Sequence, residues 1–205
     1  MPSAARATEP ADGRVARSQR SRRALIDAMR ALNAEGDIQP TARRIAERAG
    51  VSVRTFWQQF ADMEALLVEA TRRDDEILHS MREPIDLDEP LATRITLFVR
   101  GRARILEHLT PSWRAARLQL PFSAELQSYN ARLLATAKAE VEKVFAPELG
   151  KLDDSRRRQL ADGLHAVSIW SFWDSLRSEL GLGPNQARDL VRTTCTALLA
   201  EAGFC

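Results

Sequence analysis

Apolar residues recur along this chain at intervals of three and four positions, which is the spacing of a helix rather than of a strand. The first apolar stripe runs from Leu25 to Leu32, and Gly36 follows it at the position of a C-terminal cap. Two short helices are then predicted over residues 41–60, and a longer one over residues 62–81. No alternation of the kind that predicts strands is visible, so the pattern indicates an all-α protein.

Prolines and glycines divide the remainder of the chain into five further helices. Thr110 and Pro111 resemble an N-cap followed by a proline in the first helical turn, so a new helix is predicted to begin there. The five helices are expected over residues 91–109, 111–120, 126–144, 154–180 and 185–202. About nine helices are therefore predicted in all, with the first three forming a compact N-terminal head.

The stretch RIAERAGVSVRTFWQQF, residues 44–60, places a tight turn between two short helices. Gly50 supplies the turn, where a side chain would clash or demand an unfavourable positive φ. Val51 is expected to fill the angle between the helices, and Ser52 to cap the second helix. Phe56 and Phe60 lie four residues apart, so both should point towards the same small core. This arrangement is the helix-turn-helix geometry.

Polar side chains of the second short helix are predicted to face outward, where they suit the major groove of DNA. Arg54 can pair with guanine, Gln58 or Gln59 with adenine, and a methyl group of Val53 can touch that of thymine. The indole N–H of Trp57 can reach a phosphate oxygen, or the ring can instead complete the small core. The predicted DNA-contacting residues are Thr41, Arg43, Arg44, Ser52, Val53, Arg54, Thr55, Trp57, Gln58 and Gln59. An ordinary helical hairpin with a solvated polar face is the alternative interpretation.

Charge is distributed unevenly along the 205 residues, although the net charge is only +2. Residues 1–60 contain 11 Arg against 6 acidic side chains, which suggests that this part of the chain meets a polyanion. Residues 1–20 lack hydrophobic periodicity and are predicted to form a flexible basic arm, or else an inert tail. Cysteine is scarce and no signal peptide or membrane span is visible, so a cytoplasmic protein is expected.

Residues 41–67, TARRIAERAGVSVRTFWQQFADMEALL, resemble the pattern T-x-x-x-I-A-x-x-A-G-V-S-x-x-T-x-Y-x-x-F-x-x-K-x-x-L-L of the tetracycline-repressor (TetR) family. The resemblance implies a homodimeric bacterial repressor with a three-helix DNA-binding head and a larger ligand-binding bundle. It carries Thr55 over as a DNA contact and Trp57 as the replacement for the usual Tyr. Met63 stands where the family has a phosphate-binding Lys, so that contact is expected to be missing. Asp37 replaces an aromatic residue, which leaves Ile38 or Leu32 to fill the core.

The resemblance and the helix pattern together predict the domain organisation and the function. After the arm, residues 21–67 are expected to form the helix-turn-helix domain, which runs into the fourth helix, and residues 68–205 the ligand-binding and dimerisation domain. One short helix reads only a few base pairs, so the chain is expected to bind a palindromic operator in double-stranded DNA as a homodimer. A small apolar or amphipathic effector is expected to release the DNA by shifting the population of conformations.

Candidate effector and dimer residues lie outside the head. An apolar cavity with a polar anchor is predicted from Phe98, Arg102, His108, Trp113, Arg117, Phe122, Tyr129 and Trp170. Any one of these aromatic residues could instead serve plain packing. The last two helices are apolar on more than one face, so they are expected to pack on a partner chain, unless they form a wholly intramolecular core. The predicted dimer residues are Leu164, Val167, Trp173, Leu176, Ala187, Val191, Thr194 and Leu198.

Nothing in the sequence predicts a catalytic site, a metal site or a cofactor. His79, His108 and His165 lack the spacing of metal ligands, and no glycine-rich phosphate loop is present. Asp162, His165 and Ser168 are better explained as ordinary residues of one helix than as a catalytic triad. The other function that the sequence allows is an effector-independent helical DNA-binding or architectural protein, and a helical enzyme is a more distant alternative.

Overall fold

The computed structural model describes residues 11–204, and the regular secondary structure of this range is entirely helical. Its ten α-helices are α1 (Ala11–Ala34), α2 (Ala42–Arg48), α3 (Val53–Gln59), α4 (Met63–Met81), α5 (Leu91–Gln119), α6 (Ala124–Val144), α7 (Ala146–Leu149), α8 (Asp154–Ala166), α9 (Trp170–Asp174) and α10 (Pro184–Glu201). A π-helical turn, Ser175–Glu179, continues α9. The prediction of an all-α fold is confirmed. None of the described helices is both long enough and apolar enough to cross a membrane.

The short N-terminal helices begin at residues whose side chains cap them. Thr41, Ser52 and Asp62 precede α2, α3 and α4, and each accepts a hydrogen bond from a backbone N–H of the first turn. These bonds measure 3.3, 3.0 and 2.7 Å respectively. Each cap satisfies a donor that the helix itself leaves unpaired, so local chemistry fixes these three boundaries.

Three apolar clusters hold the described helices together, the smallest being Leu78, Ile105 and Leu109. The first of the two larger clusters extends beyond the head. It joins α1–α3 to α4, to the C-terminal end of α5 and to the start of α6, with Phe56, Phe60, Trp113 and Tyr129 among its members. The second cluster surrounds Phe98 and joins α5 to α6, α7, α8, α9 and α10. Because α5 contributes to both larger clusters, it positions the head against the bundle.

The predicted boundary at Thr110 and Pro111 is wrong, because α5 continues through both residues. Thr110 does not cap a helix, since its hydroxyl donates to the carbonyl of Leu106 at 2.7 Å. A proline inside a helix costs about 3 kcal/mol. Buried side chains lie on both sides of this one, from Ile95 to Ala116, and their packing offsets that cost.

The single helix predicted over residues 154–180 is interrupted between α8 and α9. At the interruption the carbonyl of Ser168 accepts two hydrogen bonds from the buried guanidinium of Arg102, at 3.1 Å from Nε and 2.7 Å from Nη2. A carbonyl that a distant side chain satisfies needs no partner in its own helix. The break therefore depends on a long-range contact and leaves no local signal in the sequence.

Helix α1 begins at Ala11, well before the predicted start at Ser21. The part of the predicted flexible arm that lies within the described range is therefore helical, and residues 1–10 lie outside that range. Two contacts with α3 support the extension. The Ser18 hydroxyl bonds the side-chain amide of Gln59, and Arg22 Nη1 donates to the carbonyl of Gln59 at 2.5 Å. Tertiary contacts of this kind stabilise the N-terminal part of α1, which shows no apolar stripe of its own.

Candidate nucleic-acid interface

The turn between α2 and α3 is closed by backbone hydrogen bonds around a glycine. Gly50 has a φ of 67°, a value that side chains other than glycine rarely adopt. Its N–H donates to Glu47 O at 3.2 Å, and the N–H of Val51 donates to Ala46 O at 3.0 Å. These two bonds form a Schellman motif, which ends α2 and redirects the chain into α3.

The outer face of α3 carries Val53, Arg54, Trp57 and Gln58, and all four side chains are exposed. The Trp57 ring packs edge-on against buried Phe56, with 4.8 Å between centroids, yet half of Trp57 remains exposed. Across the described residues, neither Arg54 nor Gln58 has a hydrogen-bond or ion-pair partner in the protein. Their donors and acceptors are therefore available for base edges in a major groove.

Three other predicted DNA-contacting side chains are engaged within the head. The Ser52 and Thr55 hydroxyls lie 2.9 Å apart, and Ser52 also accepts the N–H of Thr55 as the cap of α3. Gln59 is half-buried, and its amide nitrogen donates to the Ser18 hydroxyl at 3.0 Å. Gln59 therefore joins α3 to α1 in this conformation, and its contact with a base stays a prediction.

Helix α2 presents cations next to the outer face of α3. Arg43 is exposed and lies 3.8 Å from Glu47, and Arg44 lies 3.1 Å from Asp37. Ion pairs at such exposed positions contribute only about 0–1 kcal/mol, so both arginines can exchange these partners for DNA phosphates. The pair with Arg44 also explains why the head tolerates an acidic residue at position 37.

Asp37 stands where the TetR pattern has an aromatic residue, so another side chain must fill the core of the head. Leu32 is buried there. Ile38 is instead 37% exposed and lies on the loop between α1 and α2. Met63 begins α4 and is half-buried, so it offers no charge for a phosphate at the position where the TetR pattern has Lys.

A cavity of about 40 Å³ lies in the bundle between α4, α5, α6 and the start of α9. Three of the predicted effector residues, Arg102, Trp113 and Trp170, line this cavity. Its other walls are mostly leucine and isoleucine side chains of α4, α5 and α6. Such a volume holds about three water molecules, so an effector can enter only if the walls move apart.

The remaining predicted effector residues lie elsewhere. The prediction that Phe122 lines the cavity is wrong, because Phe122 is 84% exposed. Phe98 packs on Phe145 within the second apolar cluster. Arg117 is exposed, with its guanidinium 5.9 Å from the centre of the Trp170 ring. Tyr129 packs against Trp113, outside the cavity lining, and burial raises the pKa of its hydroxyl.

His108 lies outside the cavity lining, in a polar cluster between the head and the bundle, and its role as an effector anchor stays a prediction. Its Nε2 lies 3.2 Å from Nη2 of Arg30 on α1 and 3.9 Å from the carboxylate of Asp74 on α4. Arg30 and buried Asp74 form an ion pair of 2.7 Å. Burial raises the pKa of the Asp74 carboxyl, and the neighbouring Arg30 opposes that rise. This cluster joins α1, α4 and α5 at one point.

Arg82, at the C-terminal end of α4, lines the cavity and was not predicted. Its Nε is buried without a hydrogen-bond partner, and no ion pair of Arg82 occurs among the described residues. The other cavity guanidinium, on Arg102, has Glu140 as its carboxylate partner at 3.6 Å. The sequence signal that could have indicated Arg82 as a cavity residue is its spacing from Leu78. Arg82 follows the buried Leu78 by one helical turn, so the two side chains share one face of the helix.

Most of the predicted dimer residues are buried within their own chain. Five of the eight are at most 3% exposed and pack in the second apolar cluster, so they are wrong as partner-facing residues: Leu164, Trp173, Leu176, Ala187 and Val191. Val167, Thr194 and Leu198 are partly exposed. Helix α10 also exposes Leu190, which is 40% accessible, and Ala197. An apolar run alone does not distinguish a side chain in the core from one in an interface.

Comparison with known proteins agrees with this geometry. Residues 25–70 match the sequence model of the family described as bacterial regulatory proteins, tetR family. The structure is similar to that of a transcriptional regulator from Rhodococcus sp. Rha1, with a TM-score of 0.68, 16% identity and coverage of 90% of this chain and 96% of the other. It is also similar to a proposed TetR-family regulator from Mesorhizobium loti MAFF303099, with a TM-score of 0.60, 18% identity and coverage of 90% and 98%. No curated protein sequence matches the chain. The head sequence therefore matches the model of the TetR family over residues 25–70, and the described fold is shared with these solved regulators.

Proposed function

We propose that this protein is a cytoplasmic, ligand-responsive repressor that binds a palindromic operator as a homodimer. The observation that carries the proposal is the outer face of α3, where Arg54 and Gln58 are exposed and have no partner among the described residues. An exposed, unpaired Arg and Gln one helical turn apart suit the edges of guanine and adenine. Residues 21–67 form the DNA-binding part in this proposal, and residues 68–205 bind ligand and partner.

Helix α3 contains only seven residues, so one copy contacts too few base pairs to select a site in a genome. A twofold dimer with its recognition helices about 34–36 Å apart doubles the number of base pairs read. The partly exposed side chains of α8 and α10 support a dimer surface there, with Val167, Leu190, Thr194, Ala197 and Leu198 as its proposed residues. A face made of small and aliphatic side chains suits close packing against its own symmetry mate.

The bundle cavity supports an effector that combines an apolar body with an acidic group. The walls are largely apolar, and Arg82 and Arg102 both line the cavity. Within residues 11–204, Glu140 forms an ion pair with Arg102 alone. Arg82 therefore lacks a carboxylate, which an acidic ligand would supply through paired hydrogen bonds. Among the apolar or amphipathic molecules expected as effectors, this distribution of charge favours an amphipathic molecule that carries a negative charge.

Helix α4 is suited to connect the cavity with the head. It contains 19 residues, which corresponds to a length of about 28 Å. Leu78 and Arg82 lie at its cavity end, and its N-cap, Asp62, is separated from α3 only by Phe60 and Ala61. A ligand that displaces the cavity end also moves the head, and so favours dimers whose heads are wrongly spaced for the operator.

Selection of bound duplexes from random DNA tests the regulator proposal. The proposal predicts enrichment of a short palindrome that the protein protects in a footprint at moderate salt. An architectural protein would instead bind random duplex equally well and show only a steep salt dependence. Enrichment of no sequence at all would contradict the proposal.

A thermal-shift screen of small molecules, sorted by charge, tests the effector proposal. Apolar carboxylic acids should raise the melting temperature and release a selected operator, whereas matched alcohols should do neither. Arg82→Gln should abolish the effect of the acids, and Arg156→Gln, at an exposed position on α8, should preserve it. Equal responses from acids and alcohols would contradict the anionic assignment.

A further inference from the structure

A second cleft, larger than the bundle cavity, lies where the head meets the body. It has a volume of about 340 Å³. Its walls are the C-terminal half of α1, the loop from α1 to α2, the first turns of α4 and the last turns of α5. Small-molecule sites in proteins commonly occupy about 300–1,000 Å³, so this cleft has room for a compact ligand where the bundle cavity does not.

The apolar part of the cleft comes from side chains that are adaptable or incompletely covered. Met29 and Met63 face it from α1 and α4, and the unbranched methionine side chain adjusts to ligands of different shape. Leu67 and Ala115 form the deeper wall, and both are buried. Ile38 lies at the rim and is 37% exposed, which a bound ligand would reduce.

The polar part of the cleft includes a buried side chain without partners. Asn33 is 3% exposed, and neither its Oδ1 nor its Nδ2 has a hydrogen-bond partner among the described residues. An unsatisfied buried amide costs about 1–3 kcal/mol, so such groups call for a missing partner. Because Asn33 lines the cleft, a ligand bound there can supply that partner.

The charge of the cleft selects between ligand classes. Glu64 is its one charged lining residue, and this exposed carboxylate has no ion pair within the described range. Gln39 and Gln119 add amide groups at the rim, and no lining residue is basic. The site therefore attracts a cation and repels a carboxylate, the reverse of the charge pattern in the bundle cavity.

We propose that the cleft between the head and the body is a second small-molecule site, which binds an amphipathic amine. The apolar body of the ligand lies against Met29, Met63 and Leu67, and its ammonium group lies near Glu64 with an N–H directed to Asn33. This site is independent of the effector cavity, and it requires neither DNA nor a dimer to bind its ligand. Since Thr41 lines the same cleft and caps α2, a bound amine contacts the element that holds the arginines of the DNA-binding face.

Methionine methyl NMR on the full-length protein tests the proposal, because the few methionines separate the sites. The chain has four, of which Met29 and Met63 line the cleft and Met81 lies at the far end of α4. The probes are 2-phenylethylamine, 2-phenylethanol and phenylacetate, which share a ring and differ in charge. The amine should shift the Met29 and Met63 signals saturably in the millimolar range, leave Met81 unchanged and bind more tightly than the alcohol. Phenylacetate should give no saturable shift of the Met29 or Met63 signal.

Two variants with matched controls locate the binding. Glu64→Gln should weaken amine binding by about two- to fivefold, the range expected of an exposed ion pair, and Glu76→Gln on the same helix should not. Ala115→Leu fills the cleft and should abolish the shifts, whereas Ala135→Leu at an exposed position on α6 should preserve them. Absence of saturable shifts at Met29 and Met63, equal binding of all three probes, or binding that Ala115→Leu leaves intact would overturn the proposal.

Discussion

Two adjacent glutamines on α3 give the sharpest test of which side chains read DNA. Gln58 is exposed without a partner among the described residues, whereas Gln59 is half-buried and bonds Ser18. Gln58→Ala should therefore remove a base contact and leave folding unchanged. Gln59→Ala should remove a contact between α1 and α3 and leave base preference unchanged.

The two variants should differ clearly in magnitude. A good bidentate base contact contributes about 1–3 kcal/mol of discrimination, and a dimer makes it twice, which gives about 2–6 kcal/mol. Gln58→Ala should thus reduce the preference for operator over a base-substituted duplex by roughly 30-fold to more than 10⁴-fold. The bond from Gln59 to Ser18 lies near the surface, so its loss should lower the free energy of unfolding by only about 0.5–1 kcal/mol.

Fluorescence anisotropy with a selected operator and with duplexes substituted at the same base position of both half-sites measures the preference, and urea denaturation measures the stability. Arg54→Ala serves as a positive control, because Arg54 is also exposed and unpaired in the described structure. The assignment would be refuted if Gln59→Ala relaxed the base preference while Gln58→Ala left it intact.

Three further predictions concern the turn, the dimer and the buried thiol. Gly50→Ala should lower the free energy of unfolding in urea by about 1–2 kcal/mol through its positive φ alone, since no atom of the described residues lies within 4 Å of the added Cβ. Gly101→Ala within α5 should not lower that free energy, and equal effects of the two variants would contradict the role of the positive φ. Leu190→Arg should give a monomer in light scattering and Leu118→Arg, at an equally exposed position, should not; a dimer in both would place the interface elsewhere. Burial raises the pKa of the Cys195 thiol to about 12. In the Cys205→Ser variant, a thiol reagent at pH 8 should therefore label Cys195 only after the protein unfolds. Rapid labelling of the native protein would contradict the burial of this thiol.

Local chemistry made much of the head predictable from the sequence. Thr41, Ser52 and Asp62 cap their helices, and Gly50 adopts its positive φ, because each of these features depends on only a few neighbouring residues. The match of residues 25–70 to the TetR family model was predictable for the same reason, since the matched residues are contiguous.

Features that depend on distant residues were not predictable. The sequence around Pro111 predicts the start of a helix, but packing keeps α5 continuous through this residue. The sequence predicts Gln59 as a base contact. It gives no sign of the hydrogen bond from Gln59 to Ser18, because Ser18 lies in a segment without hydrophobic periodicity. The break after α8 depends on Arg102, which is far away in the sequence. In each case tertiary contacts override the local preference.

Hydrophobic patterns also fail to locate cavities. Phe98 and Phe122 are both aromatic, yet one lies in the core and the other in solvent. Neither Arg82 nor Asn33 differs in sequence from an ordinary polar helix residue, and only the structure shows that each lacks a partner among the described residues. Unsatisfied buried atoms are properties of the packed chain, so sequence patterns do not reveal them.

The central claim is that two exposed side chains on α3, presented as a symmetric pair, read base edges. Selection from random duplex DNA, performed in parallel with the wild-type protein and the Arg54→Ala/Gln58→Ala double variant, tests it most directly. The wild type should enrich a palindrome whose half-site centres lie about 34–36 Å apart or a multiple of that distance, and the folded double variant should enrich none. Enrichment of the same palindrome by both proteins would contradict the claim.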